Sequence, residues 1–213
     1  MGRNNIIVFD TETTGLSPES GDEMLQLSII DGDGNVLFDE YLKPQQKTEW
    51  TEAMKVNGIT PDFVEDKKSV SDYIKRIQAI FNSADVIVGY NTQFDIRFVK
   101  AVGIEINEQT EIVDVMQDFA EIYGEINEKY GGYKWQKLIK CADYYDFDWS
   151  STGTHAHDSL GDTYATLHCY KKIYEVDEKL GLHIDDEGNY YSSKDFDKMQ
   201  TERKKEHDNE YGF

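Results

Sequence analysis

Ile6-Ile7-Val8-Phe9-Asp10-Thr11-Glu12-Thr13-Thr14-Gly15-Leu16 passes in one step from a continuous apolar run to two acids. The apolar run predicts a short buried strand over residues 3–9. Asp10 and Glu12 then fall just past the strand's end. Two apart on an extended backbone, they point to the same side. Carboxylates aimed together repel each other unless one holds a proton or a cation lies between them. Paired oxygen donors suit a hard cation such as Mg²⁺ or Mn²⁺. In a chain with 42 Asp and Glu, such a triplet fits a solvated strand end or a helix cap equally well. Its meaning depends on what else the chain brings to it.

Downstream, residues 24–30 read as a second strand, and Asp31-Gly32-Asp33-Gly34-Asn35 is turn chemistry leading into a third through Val36, Phe38 and Tyr41. The turn is not a calcium loop, because Val36 and Leu42 stand where such a loop needs Gly and Glu. From Ser69 the period changes to helical, with Val70, Tyr73, Ile74, Ile77 and Phe81 on one face and Ser69 or Ser71 as cap. Residues 85–90 form another buried strand and 92–102 a helix ending at Gly103. Ile112-Val113 is a short strand before a helix over 114–123, and further helices are expected over 135–145 and 158–174. A hairpin followed by alternating helix and strand indicates a mixed α/β sheet in one domain, residues 1–175. Residues 176–213 are expected to be an acidic extension, with a hairpin over 182–191 and then a surface helix or frayed tail. From Glu175 onward there are twelve acids and six bases.

The 213 residues carry 22 Lys and Arg against 42 acids, a formal charge of −20, with a mean hydropathy of −0.66. No run approaches the roughly 18 apolar residues of a membrane span. The N-terminus is not that of a signal peptide. Cys141 and Cys169 fit neither a disulfide framework nor a metal knuckle, and read as reduced thiols in a cytoplasmic protein. So acidic a chain repels a phosphate backbone at long range, which argues against tight non-specific duplex binding. Divalent cations invert that charge locally, so an enzyme gripping a few nucleotides is not excluded.

Two further stretches add to the opening one. Gly89-Tyr90-Asn91-Thr92-Gln93-Phe94-Asp95 places an acid in the first turn of a helix after a buried strand. Its plain reading is helix-dipole charge, worth about 0.3–1 kcal/mol. His155-Ala156-His157-Asp158-Ser159-Leu160-Gly161-Asp162 lies at a loop-to-helix junction. Asp158 reads as an N-terminal helix acid that shares a face with Asp162, and His157 can fold back over them.

In this order and spacing the three stretches resemble the DEDDh family of 3′–5′ exonucleases, which includes the proofreading subunits of bacterial DNA polymerase III. The first motif, D-x-E-T-T-G-L, matches residues 10–16; G-x-N-x-x-F-D matches 89–95; H-x-x-x-x-D matches His157 and Asp162. Asn57-Gly58-Ile59-Thr60 resembles a linker these enzymes carry, and the likeness runs over residues 4–175. Ser159 and Gly161 depart from the alanines common in the family. His155 is a rival base, but His157 alone stands five positions before Asp162.

The resemblance implies a ribonuclease H-like fold, with a five-stranded mixed sheet and helices on both faces. It implies two divalent cations, Mg²⁺ or Mn²⁺, held by Asp10, Glu12 and Asp162, with Asp10 shared and Asp95 acting nearby. His157 would be the general base, as a group titrating near neutrality can be. Thr13 and Gly15 would present backbone N–H groups to a terminal 3′-hydroxyl, Gly15 by permitting a tight turn. Leu16 would wedge against the last bases or join the core. Asn91 and Phe94 would support the terminal nucleotide, although Phe94 also suits the core. Tyr90 and Tyr133-Lys134-Trp135 read as structural or peripheral. The implied substrates are single-stranded DNA or RNA 3′ ends, DNA preferred, releasing nucleoside 5′-monophosphates. A separate DNA polymerase subunit is a candidate partner, since the chain has no room for a polymerase domain. The alternatives are an RNA-trimming exoribonuclease of the same family and a non-catalytic binding module.

Overall fold

A computed structural model describes residues 5–151, 153, 157–180, 182–184 and 190–192. His155 and the expected tail helix or frayed tail lie outside these residues. The chain divides into two compact units, Met1–Tyr170 and Lys171–Phe213. In the second, strands Leu182–Ile184 and Tyr190–Ser192 pair antiparallel.

The first unit is built on five strands, β1 (Ile6–Thr13), β2 (Met24–Asp31), β3 (Val36–Tyr41), β4 (Val86–Gly89) and β5 (Glu111–Asp114), in the order β3-β2-β1-β4-β5. β1 runs antiparallel to β2 and parallel to β4, so the sheet is mixed. The β2–β3 hairpin closes because the Asp31 carboxylate accepts the backbone N–H of Asp33 (2.9 Å) and of Asn35 (2.8 Å). That acid is spent on the turn.

Successive residues Ile7, Val8 and Phe9 of β1, and Val86, Ile87 and Val88 of β4, are all buried. Because side chains alternate across a strand, both faces of the sheet must be covered. One face is packed by α3 (Ile74–Ser83) and α4 (Thr92–Ala101), whose Ile77, Phe81, Ile96, Phe98 and Val99 join Ile7, Phe9, Leu27, Ile29 and Ile87 in a single core. Ser69 and Asp72 form a capping box on the 3₁₀ turn leading into α3. On α5 (Val115–Tyr123), the Asp114 side chain caps the Met116 N–H. α6 (Leu138–Tyr144) and α7 (Ser159–Leu180) complete the set. Cys141 and Cys169 are buried and unbridged. Among the described residues no helix is long and apolar enough to cross a membrane.

Two expectations need correction. β1 does not stop at Phe9; the β2 ladder carries it to Thr13, helped by the β-branched Thr11 and Thr13, so Asp10 and Glu12 lie within the strand. The helix expected from Trp135 begins at Leu138, because Lys137 is extended (ψ 152°) and serves as its N-cap. The stretch read as a linker, Asn57-Gly58-Ile59-Thr60, does join two elements, the short helices α1 (Thr51–Asn57) and α2 (Pro61–Val64). Gly58, at φ 70°, ends the first, and the Thr60 side chain caps the second.

Candidate active site

The β1–β2 register sets the site. Asp10 lies opposite Ser28 and Glu12 opposite Gln26, so these four side chains share one face of the sheet. On that face Gln26 and Ser28 do not contact water. They receive the start of α7: the Gln26 Oε1 accepts the Ser159 N–H (3.3 Å), and the Ser28 and Ser159 hydroxyls are 2.5 Å apart. Asp158 caps the helix by accepting the Leu160 N–H at 3.0 Å. Asp162 follows one turn later, and its N–H bonds the Asp158 carbonyl (2.9 Å). Ser159, a departure from the family pattern, is here a buried anchor. Replacing Gln26 by Leu leaves the Ser159 N–H without its partner. This variant is expected to lose about 1–3 kcal/mol in chemical denaturation and to bind Mn²⁺ more weakly.

Donor atoms of Glu12, His157 and Asp162 lie within 4.8 Å of one another. His157 is exposed and sits at φ 65°, a left-handed backbone that turns the loop into α7. Asp95 approaches from the other direction. Pairing between β1 and β4 ends at Val8 and Val88, and the Asp95 carboxylate takes up the Thr11 N–H (3.0 Å) and hydroxyl (2.6 Å) beyond that point. Gly89 allows the tight entry into α4: a Cβ there would come within 2.9 Å of the Thr92 hydroxyl, which holds the Val113 carbonyl at 2.7 Å.

Burial and mutual repulsion leave these carboxyls reluctant to ionise. Burial pushes Glu12 up to about 8, with Asp162 adding to it and a hydrogen bond from Asn57 opposing it. Burial raises Asp95 to about 7 against the two Thr11 bonds. Asp10 is raised by burial and then by Asp95, Asp162 and Glu12. Such a cluster of carboxylate oxygens fits divalent cations.

The sign of the stability effect follows. With its folded value raised from 4.5 to about 8, Glu12 holds a proton in the folded state that the unfolded chain has released. Stability is therefore lost as pH rises through that window. Asp95 acts likewise from 3.8 to about 7. In chelator, the melting temperature is expected to fall between pH 6 and pH 8, and Mg²⁺ or Mn²⁺ to restore it most at pH 8. A cation effect that is absent at pH 8 contradicts the cluster as a metal site.

Beside the acids lies a cleft of about 680 Å³. Thr11 to Leu16 form one wall, and Lys47, Trp50, Ala53, Val56 and Asn57 another, with Phe94 also lining it. Leu16 is 78% exposed, which removes the core reading for this residue. Phe94 is half-buried, 5.1 Å from the Phe98 ring, and faces both core and cleft. Gly15 does not adopt a left-handed φ; a Cβ there would run into the Asp22 carboxylate, which is held by the Ser17 N–H (3.1 Å) and Lys47 (2.8 Å). Close approach, not turn geometry, selects glycine. The Thr13 hydroxyl bonds the Gly15 carbonyl (2.7 Å), and the Thr14 N–H is taken by the Glu23 carbonyl (2.8 Å). Asn91 is exposed at φ 65°, its N–H on Asp114.

The wall from Lys47 to Val56 escaped the sequence reading, which named Asn57 only as part of a linker. α1 has seven residues, too few for a helical period to register. A usable signal was Asn57-Gly58, an asparagine followed by a C-cap glycine. Its side chain reaches the Thr13 carbonyl at 3.3 Å.

An exonuclease family model, RNase_T, matches residues 7–170, and the chain belongs to that family. Among its relatives is an uncharacterized exonuclease, CP81, of Escherichia phage 186, 29% identical over 76% of this chain and 84% of the phage protein. DNA polymerase III subunit epsilon of Rickettsia prowazekii is 30% identical over 52% of each chain, so this chain spans about half of that relative. Exonuclease X in complex with 5′-overhanging duplex DNA superposes with a TM-score of 0.60 at 20% identity, over 81% of this chain and 93% of that one. E. coli exonuclease I with a dA16 oligonucleotide gives 0.59 at 20%, over 84% and 44%. The shared architecture is the ribonuclease H-like fold.

Proposed function

We propose that this chain is a metal-dependent 3′–5′ exonuclease that shortens single-stranded ends, DNA in preference to RNA, and releases nucleoside 5′-monophosphates. The observation that carries this reading is the convergence of Glu12 from β1 with His157 from the loop before α7 and Asp162 from its first turn. Asp10, Glu12 and Asp162 would hold two divalent cations, with Asp95 nearby. Those cations supply charge stabilisation to the phosphoryl oxygens and a lowered pKa to water.

The chain's own residues do the rest. His157, exposed at the mouth of the carboxylate cluster, takes the proton from the attacking water. Asp95, fixed by two bonds to Thr11, keeps the α4 turn against β1. Leu16 and Phe94 offer apolar surface to the terminal base at the cleft, and Thr13 and Asn57 brace its floor. Two buried, unbridged thiols suit a reducing, cytoplasmic setting. The likeness to polymerase subunits supports a separate polymerase as partner.

Oligonucleotides labelled at the 3′ or the 5′ end, with and without Mg²⁺, test the reading. A 3′ label released first as mononucleotide supports it. Loss from the 5′ end, or no metal-dependent loss at all, overturns it. Matched DNA and RNA strands at equal salt decide the sugar preference, which turns on room for a 2′-hydroxyl.

A further inference from the structure

Between α5 and α6 the chain leaves the body of the fold as a small closed arm. Ile126 bridges Tyr133 antiparallel, and the Asn127 N–H bonds the Gly132 carbonyl (2.9 Å), Gly131 the Asn127 carbonyl (2.8 Å) and Lys134 the Glu125 carbonyl (2.7 Å). The Asn127 side chain accepts two more N–H groups, from Lys129 (3.3 Å) and Tyr130 (3.2 Å). The arm is built, since its backbone polar groups are paired internally.

What it carries on the outside is apolar. Tyr130 is 76% exposed, Trp135 64% and Tyr133 47%. Three large exposed rings within six residues of chain are what an interaction surface offers. The charge is also out of character. Within a chain of −20, residues 124–137 hold three lysines against two glutamates, with Lys134 paired to Glu125 at 2.8 Å and Lys129 and Lys137 in no ion pair among the described residues. Lys129 lies 4.6 Å from the Tyr130 ring centre, and Lys140 lies 4.0 Å from that of Tyr123.

The arm is rooted beside the candidate site. The Tyr90 hydroxyl donates to the Gln136 carbonyl at 2.9 Å. Gln136 itself is buried; its amide donates to the Lys134 carbonyl (2.8 Å) and its oxygen accepts from Lys140 (2.7 Å). Tyr90 is the residue between the end of β4 and Asn91, from which α4 carries Phe94 and Asp95.

We propose that this arm is a stacking platform for single-stranded nucleic acid, holding the nucleotides upstream of the terminal one. Exposed rings offer faces to successive bases, and interleaved lysines offset the repulsion that the rest of the chain imposes on a phosphate backbone. A protein partner is the weaker fit, because protein interfaces are depleted in lysine. The proposal rests on the exonuclease reading for its substrate. It assigns that substrate a second point of contact away from the acids.

The test is binding of the full-length chain, in Mg²⁺, to a nuclease-resistant phosphorothioate 12-mer and to the corresponding dinucleotide, read by fluorescence anisotropy. Each ring is worth roughly 5- to 150-fold in affinity. Tyr130→Ala combined with Trp135→Ala is therefore expected to weaken the 12-mer at least about tenfold while dinucleotide affinity stays within about twofold. Phenylalanine at both positions, which preserves stacking, is expected to retain 12-mer binding. An alanine variant with an unchanged melting temperature that binds the 12-mer like wild type overturns the proposal and assigns the arm to a protein contact. Equal losses on both ligands overturn it as well, since they report a general disturbance. If the alanine effect is seen but wild type releases no mononucleotide from unmodified strands, the arm stands and the exonuclease reading fails.

Discussion

Asp10→Asn is expected to lower metal-dependent release of mononucleotide by at least about 10³-fold, because the charge stabilisation that bound cations supply is worth several kcal/mol and each 1.36 kcal/mol is a factor of ten. The same substitution is expected to raise the melting temperature in chelator at pH 8. Asp10 is a half-buried carboxyl pressed by Asp95, Asp162 and Glu12, and an amide relieves that repulsion. Opposite signs for activity and apo stability are a signature that simple unfolding cannot produce. Retained function in Asp10→Asn would instead support the non-catalytic binding module, for which these carboxylates have no task.

His157→Ala is expected to cut turnover by about 10²–10⁴-fold, the usual worth of a positioned general base, with little change in melting temperature. The side chain is exposed, so its loss leaves no cavity. The residual rate should become proportional to hydroxide concentration, because solvent then replaces the imidazole as proton acceptor. The matching His155→Ala variant should be near wild type. Equal losses in the two variants contradict the assignment of His157 as the base.

The fold was legible where a local pattern and a tertiary need coincide. Ile7, Val8 and Phe9 are a continuous apolar run because both faces of β1 are covered, and the Asp31–Asn35 turn is written in its own side chains. Ser69 and Asp114 cap the turns they were expected to begin. The strand's continuation through Asp10 and Glu12 was not legible. Two acids look like an end, and only the partner strand, with Gln26 and Ser28 opposite them, holds them in the ladder.

The candidate site was readable as residue types in order, but not as a mechanism of assembly. Nothing in the sequence announces that Ser28 and Gln26 receive Ser159 and thereby set Asp162 near Glu12. Both are polar residues in a strand that would ordinarily read as half-solvated. The second wall of the cleft was missed because α1 is seven residues long, below the length at which periodicity speaks. Trp135 was placed in a helix that begins only at Leu138; the extended Lys137 stands before it, next to a buried Gln136 whose side chain is bonded to the Lys134 carbonyl and to Lys140.

Crystals of the full chain grown with Mn²⁺ and a nucleoside 5′-monophosphate, with the manganese located by anomalous scattering, test the central claim most directly. The account predicts manganese bound by the carboxylates of Asp10, Glu12 and Asp162, with the nucleotide base against Leu16 and Phe94. Manganese absent from that cluster, or bound elsewhere while the three carboxyls stay protonated and apart, contradicts it.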